Sequence, residues 1–187
     1  LEDRRITISR VAGSVTFPAD ITLIAAMNPC PCGFLGDAQH ACTCALPQVQ
    51  RYRSRVSGPL LDRIDIQVDV RAVPYRDLAS RASGESSAVL RSRVDRARQR
   101  QLERFRGRAL YRNAQMTTRD LRQHCAVDHA AEHLLERAMD SLALSARAYT
   151  RILKVARTIA DLEGTESITT AHVAEAIQYR SLDRALS

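Results

Sequence analysis

Residues 21–33 read Ile-Thr-Leu-Ile-Ala-Ala-Met-Asn-Pro-Cys-Pro-Cys-Gly, an almost unbroken apolar run that ends at an amide and passes into a loop punctuated by proline and cysteine. A run of strand length without polar alternation is the pattern of a strand buried on both faces, as in a parallel sheet covered by helices. Upstream, residues 5–17 alternate apolar and polar positions around Gly13, which predicts a β-hairpin. Downstream, residues 64–70 (Ile-Asp-Ile-Gln-Val-Asp-Val) alternate cleanly and predict a further strand. After Pro74 the pattern is helical to the end of the chain. The expected fold class is α/β followed by all-α, with an α/β part over 1–75 and a helical part over 76–187.

The helical part carries its own punctuation. Ser83 to Ser87 offers an N-cap ahead of Leu90, Val94, Ala97, Leu102 and Phe105, which follow at helical spacing. Thr117 with Asp120 forms a capping-box pattern before Leu121. Residues 128–142 place Ala131, Leu134, Leu135, Ala138, Met139 and Leu142 on one face. Residues 146–162 do the same with Tyr149, Ile152, Leu153, Ala156, Ile159 and Ala160, and Gly164 is placed to stop that helix. Thr169 opens a last helix through Val173, Ala176 and Ile177.

Composition narrows the function classes. The 187 residues are 45% hydrophobic, as expected of a folded chain, but only 4% aromatic with no Trp, which argues against base-stacking platforms. No stretch approaches the ~20 apolar residues of a membrane span, and the first residues show no signal-peptide pattern, so a soluble, cytoplasmic protein is expected. Leu1-Glu2-Asp3-Arg4-Arg5 runs into strand-like sequence without a start Met, which reads as a piece of a longer protein. The net charge is +7. Nine Arg between 85 and 112 (91, 93, 96, 98, 100, 104, 106, 108, 112), against Glu85, Asp95 and Glu103, carry most of it. Guanidinium suits phosphate recognition, and the chain's single Lys is Lys154. A solvated helix face accounts for the same residues, and the sequence leaves both readings open.

Four of the five cysteines fall in one loop, as Cys30-Pro-Cys32 and Cys42-Thr-Cys44. Two close pairs can converge four thiolates on one tetrahedral ion, with Zn–S distances of ~2.3 Å, and a reducing compartment disfavours disulfides. The expected site is structural zinc, with four protein ligands and no open position. His40 is an alternative ligand, and metal-free thiols are the alternative state. Cys125, beside His124 in a helical pattern, reads as a small half-buried residue. The five His residues (40, 124, 129, 133, 172) suggest surface or core roles rather than a catalytic triad. The sequence contains no Gly-x-x-x-x-Gly-Lys-Ser/Thr phosphate loop and no strand ending in paired acids, so these residues do not build a phosphate cradle.

Three longer strings carry a resemblance. Ala25-Ala-Met-Asn28-Pro-Cys-Pro-Cys-Gly33, Gln50-Arg-Tyr-Arg-Ser-Arg-Val-Ser-Gly-Pro-Leu-Leu-Asp-Arg-Ile-Asp-Ile66, and Leu144 to Leu162 with Ile168 to Ile177, resemble the magnesium-chelatase-like AAA+ ATPases of the ComM/YifB kind over essentially the whole chain. In that family a protease-like domain and the Walker A and B half of the ATPase come first. The resemblance implies the second half of an AAA+ core with a helical lid. It further implies ATP and Mg in the full-length protein, a hexameric ring, and a DNA motor driving branch migration during natural transformation. By the same resemblance Asn28 is sensor 1, orienting the attacking water at the γ-phosphate; a strand-end Asn is the plainer reading. Arg63 is similar to the arginine finger, against a salt bridge to Asp62 or Asp65. Arg147 looks like sensor 2, with Arg151 the lesser candidate. Arg5 and Arg10 lie on a hairpin that faces the pore in this clade, and with Arg91 and Arg98 they are the candidate nucleic-acid contacts. Two rival functions remain: a free-standing zinc-stabilised DNA-binding module, and a subunit of a metal-inserting chelatase, whose family lacks the Cys loop.

Overall fold

The computed structural model of the chain describes residues 5–70, 73, 75, 79 and 84–180. Leu1 to Arg4, Pro74, residue 76 beyond the expected domain boundary, and Ser83 lie outside the described residues. The chain separates into two units, Leu1–Val49 and Gln50–Ser187.

In the first unit the alternating segment forms the expected hairpin. β1 (Arg5–Arg10) pairs antiparallel with β2 (Gly13–Pro18), Ile6 opposite Phe17 and Ile8 opposite Val15. Val11 and Ala12 make the turn, and Gly13, at φ +145°, opens the second strand. Thr7 and Thr16, and Ser9 and Ser14, share hydroxyl hydrogen bonds of 2.9 Å across the pair. Residues 21–27 correct the expectation of a doubly buried strand. They pair with no strand among the described residues and lie exposed, Ile24 at 90%. A parallel strand takes its hydrogen bonds from neighbouring strands and its burial from covering helices. β1–β2 is the one sheet among the described residues, and it offers the run neither. The unit ends within α1 (Leu46–Arg53), whose first turn Gln48 caps by accepting from the Ala45 N–H at 3.1 Å.

The second unit is helical. After α2 (Gly58–Leu61) come α3 (Ser87–Arg104), a 3₁₀ turn (Asn113–Gln115), α4 (Thr118–His124), α5 (His129–Ser141), α6 (Ala146–Glu163) and α7 (Thr170–Gln178). Residues 64–70, expected as a strand, form none; the Gln67 N–H goes instead to the Tyr179 carbonyl at 2.9 Å. The core gathers Phe105, Leu121, Ala131, Leu135, Ile152, Leu153, Ala156, Ala160, Val173 and Ala176 between α4, α5, α6 and α7. The expected faces of α5, α6 and α7 meet in it apart from Met139 and Leu142, which lie outside the core cluster, and Tyr149, which is 41% exposed; Gly164 caps α6 in the left-handed region at φ +91°. On α3 the expected apolar face is only partly used. Ala97 and Phe105 are buried, whereas Leu90, Val94 and Leu102 are each at least 40% exposed. The face of α3 that meets α6 is polar. Gln101 is buried, Arg100 donates to the Asp161 carbonyl at 3.1 Å, and Arg104 donates to the Asp161 carboxylate at 2.8 Å. The cap of α3 is Ser86, accepting from the Val89 N–H.

The capping box of α4 forms as read. Thr117 accepts from the Asp120 N–H, and Asp120 accepts from the Thr117 N–H at 2.8 Å. Asp120 is buried and also takes Arg108 Nη1 at 2.6 Å. Arg108 and the Thr117 donors hold its carboxyl well below the usual carboxylate range. A lowered folded pKa means stability that is fully present above the unfolded value of ~3.9 and is lost as pH falls through that value toward the folded one. In acid titrations followed by circular dichroism, Asp120→Asn should lower stability at neutral pH and flatten its decline below about pH 4. An unchanged acid limb would contradict the assignment.

Candidate functional site

The loop after residue 28 folds because its backbone groups are spent on sulfur and on tight turns. Gly33, at φ +86°, donates its N–H to the Cys30 carbonyl at 3.1 Å, a turn that a residue with a Cβ adopts only under strain. Asp37 Oδ1 accepts from the N–H groups of Gln39 and His40 at 2.7 and 2.8 Å and turns the chain back toward Cys42. The thiols thereby converge. Sγ of Cys30 lies 3.3 Å from that of Cys32 and 3.6 Å from that of Cys42, and Cys32 to Cys42 is 3.6 Å. All four ligand atoms of Cys30, Cys32, Cys42 and Cys44 fall within 4.8 Å of one another. A disulfide needs ~2.05 Å. A tetrahedral ion with bonds of ~2.3 Å has sulfurs about 3.8 Å apart, close to the separations seen. This quartet can hold a metal ion. His40 stands apart from it: its ring packs on Phe34 with centroids 5.0 Å apart, and its Nδ1 faces Asp37 at 3.4 Å.

The electrostatics divide the quartet. Backbone N–H groups of Phe34 and then Thr43 draw the Cys32 thiol down to about 5. Burial opposes ionisation of Cys30, yet N–H groups of Leu35 and Gly33 help bring it below the usual thiol value. At Cys42 the Cys44 N–H favours the thiolate, but burial and the neighbouring thiols push it up to about 12. Cys44 is raised first by burial and then by Cys32 and Cys30. Four thiolates this close repel one another, and a bound dication removes that repulsion while displacing the remaining protons. Cys125, expected as half-buried, is buried in the helical core, and burial raises its thiol to about 11.

Asn28 is exposed, two residues before the first ligand, and a Cβ built on Gly33 would stand 4.0 Å from its amide nitrogen. Arg63 and Arg147 belong to the second unit. Arg63 is half-buried and donates Nη1 to the Pro59 carbonyl at 2.8 Å. The acids beside it are engaged elsewhere. Asp65 pairs with Arg151, and Asp62 accepts from Ser145 Oγ at 2.9 Å and lies 3.5 Å from Arg180. Arg147 is exposed in the first turn of α6, two residues after Ser145, the cap of that helix. Arg5 and Arg10 occupy the two ends of exposed β1. Arg91 and Arg98 sit seven residues apart on the outer face of α3, both exposed. Arg93, Arg100, Arg104 and Arg108 are bound within the fold, to Glu85, the Asp161 carbonyl, the Asp161 carboxylate and Asp120.

The contacts between residues 62–67 and the helical bundle escaped sequence reasoning. Arg180, 1% exposed, donates to the Ile64 carbonyl 116 residues away, and Ser145 reaches Asp62 across 83. Their one sequence signal is local: two acids flanking an arginine, in a string long enough to carry the resemblance.

The family model described as magnesium chelatase, subunit ChlI C-terminal, matches residues 84–180, and the one described as magnesium chelatase, subunit ChlI, matches residues 1–78. The chain is 41% identical over all 187 residues to the uncharacterised protein YifB of Salmonella typhimurium. It is 40% identical over the same length to the competence protein ComM of Haemophilus influenzae and to YifB of Escherichia coli. In each case all of this chain is covered and 36% of the relative, so it spans little more than a third of their length.

Titration with cobalt(II) should give thiolate-to-metal charge-transfer absorption saturating at one equivalent per chain. Cys30→Ser with Cys44→Ser should abolish it, while His40→Ala leaves it unchanged. Loss of the band in the His40 variant would assign the ligand set differently.

Proposed function

This chain belongs to the magnesium chelatase subunit ChlI C-terminal family, and on that premise we propose that it is the nucleotide-sensing and subunit-contact portion of an AAA+ ATPase that drives movement on DNA. In this reading residues 1–75 complete the α/β core and residues 76–187 form the lid domain. The triphosphate and its Mg lie in a cradle built by residues outside 1–187, in a hexameric, cytoplasmic assembly. Asn28 acts as sensor 1, Arg63 as the finger presented to a neighbouring subunit, and Arg147 as sensor 2.

One observation carries the proposal. Asp62 and Asp65 are bonded to the helical bundle, so Arg63 keeps a backbone carbonyl rather than a carboxylate as its polar partner. A finger must meet developing phosphoryl charge with an unneutralised guanidinium, since a paired one would first have to give up its carboxylate. No helix of the described residues is long and apolar enough to cross a membrane.

The Cys30, Cys32, Cys42 and Cys44 quartet is assigned to zinc, whose all-sulfur tetrahedral preference fits the spacing of the thiols. Bound there, zinc supplies a rigid four-point crosslink rather than chemistry, because no coordination position stays open. The crosslink fixes the backbone two residues from Asn28. Arg91 and Arg98 on α3, with Arg5 and Arg10 on the hairpin, are assigned to phosphate contacts with DNA.

In the whole protein, Arg63→Ala should lower kcat for ATP hydrolysis by roughly a thousandfold while ATP binding stays nearly unchanged. Arg147→Ala should weaken both binding and turnover. Residues 1–187 alone should show no turnover, and nucleotide-stimulated hydrolysis by that piece would overturn the assignment. Separately, Arg91→Ala with Arg98→Ala should reduce the slope of log affinity for DNA against log salt by about 2, read from titrations at several salt concentrations. An unchanged slope would remove α3 from the interface.

A further inference from the structure

We infer that Ser145 and Asp62 form a mechanical link between the two proposed sensing arginines, so that occupancy of the nucleotide read by Arg147 sets the placement of Arg63. The inference rests on the roles proposed above for those arginines and adds the residues that join them.

The link is built from one hydroxyl used twice. Ser145 Oγ accepts from the Ala148 N–H at 3.2 Å as the cap of α6, and it donates to the Asp62 carboxylate, 2.9 and 3.0 Å from its two oxygens. Arg147 lies in the turn so capped, and Arg63 follows Asp62 directly in the chain. A tilt of the first turn of α6 therefore displaces the carboxylate and the residue next to it. The segment cannot slip to absorb this motion, because three further ties hold it. Arg180 donates to the Ile64 carbonyl, Arg151 pairs with Asp65, and the Gln67 N–H donates to Tyr179 O at 2.9 Å. Adjacent acids would ordinarily neutralise Arg63, being its nearest neighbours in sequence. Here they anchor its segment to the lid instead, with the fully buried Arg180 on one side and α6 on the other. An element that two sites both bias is the physical requirement for coupling between them.

The test uses the whole protein and hydrogen exchange of residues 58–67, with and without a non-hydrolysable ATP analogue. Ser145→Gly removes the hydroxyl while retaining a residue accepted at helix caps. In the parent protein the analogue should change protection of 58–67. In Ser145→Gly that change should disappear while the analogue still binds within about threefold of the parent affinity, and Ser145→Thr should restore it. Asp62→Asn, which keeps an acceptor but loses the charge facing Arg180, should weaken the response without abolishing it, and it serves should Ser145→Gly fold poorly. A response that persists in Ser145→Gly, or is absent in the parent protein with analogue bound, overturns the link. Undiminished nucleotide binding and hydrolysis in Arg147→Ala overturns the sensor assignment instead.

Discussion

The helical unit is organised around a carboxylate that water does not reach. Asp161, with no exposed surface, takes Arg104 from α3, Arg157 from its own helix at 3.2 Å and Asn113 from the 3₁₀ turn at 2.8 Å, while its carbonyl takes Arg100. An ion removed from water costs several kcal/mol, and the cost is met only when each oxygen is bonded. The price of satisfying Asp161 is that α3, the 3₁₀ turn and α6 must arrive together, which fixes their mutual register more narrowly than apolar packing does. Gly164 belongs to the same arrangement. A Cβ there would stand 2.8 Å from the Arg100 guanidinium, the far end of a side chain that can shift, so it is the left-handed backbone of the α6 cap that calls for glycine.

This network explains why α3 was read only in part. Periodicity marked Leu90, Val94 and Leu102 as a buried face, yet the helix meets α6 through Gln101, Arg100 and Arg104. A polar interface has no hydrophobic period to detect. α5, α6 and α7 pack through aliphatic stripes, and there Ala131, Leu135, Ile152, Ala156, Val173 and Ala176 were all legible. The capping box of Thr117 with Asp120 was legible for the same reason, since it acts within one turn of the chain. Residues 62–67 were legible only as a string shared with relatives. Their partners lie 83 to 118 residues away, beyond the reach of any local rule.

The arginine-rich segment divides along the same line. Counted from the sequence it is a uniform basic stretch, for which DNA binding and a solvated face are equally good accounts. In the fold, Arg93, Arg100, Arg104 and Arg108 are used internally, and Arg91 and Arg98 face outward from α3. The charge available to a polyanion is therefore smaller than the count suggests, although Arg96 and Arg106 are exposed as well. That weakens the view of a free-standing DNA-binding module. Outward charges of this number bind a polyanion tightly when several copies are arrayed, which is what a ring provides.

The first unit meets a different shortage. Among its described residues only Cys30 and Val49 are buried, so it lacks the apolar contacts that order the helical unit. The hairpin is held by its ladder and by paired hydroxyls, but the loop from 28 to 44 has neither. Four thiols at contact distance are the one device in the loop able to replace a core, because metal coordination supplies order without burial. The exposed run 21–27 follows from the same shortage. Its apolarity asks for a sheet to enter, and under the proposed reading that sheet comes from the part of the fold outside residues 1–187. Under that reading a bound metal would keep the loop formed whether or not the sheet is present, and it would leave Asn28 at the junction between a rigid loop and an apolar run that others complete.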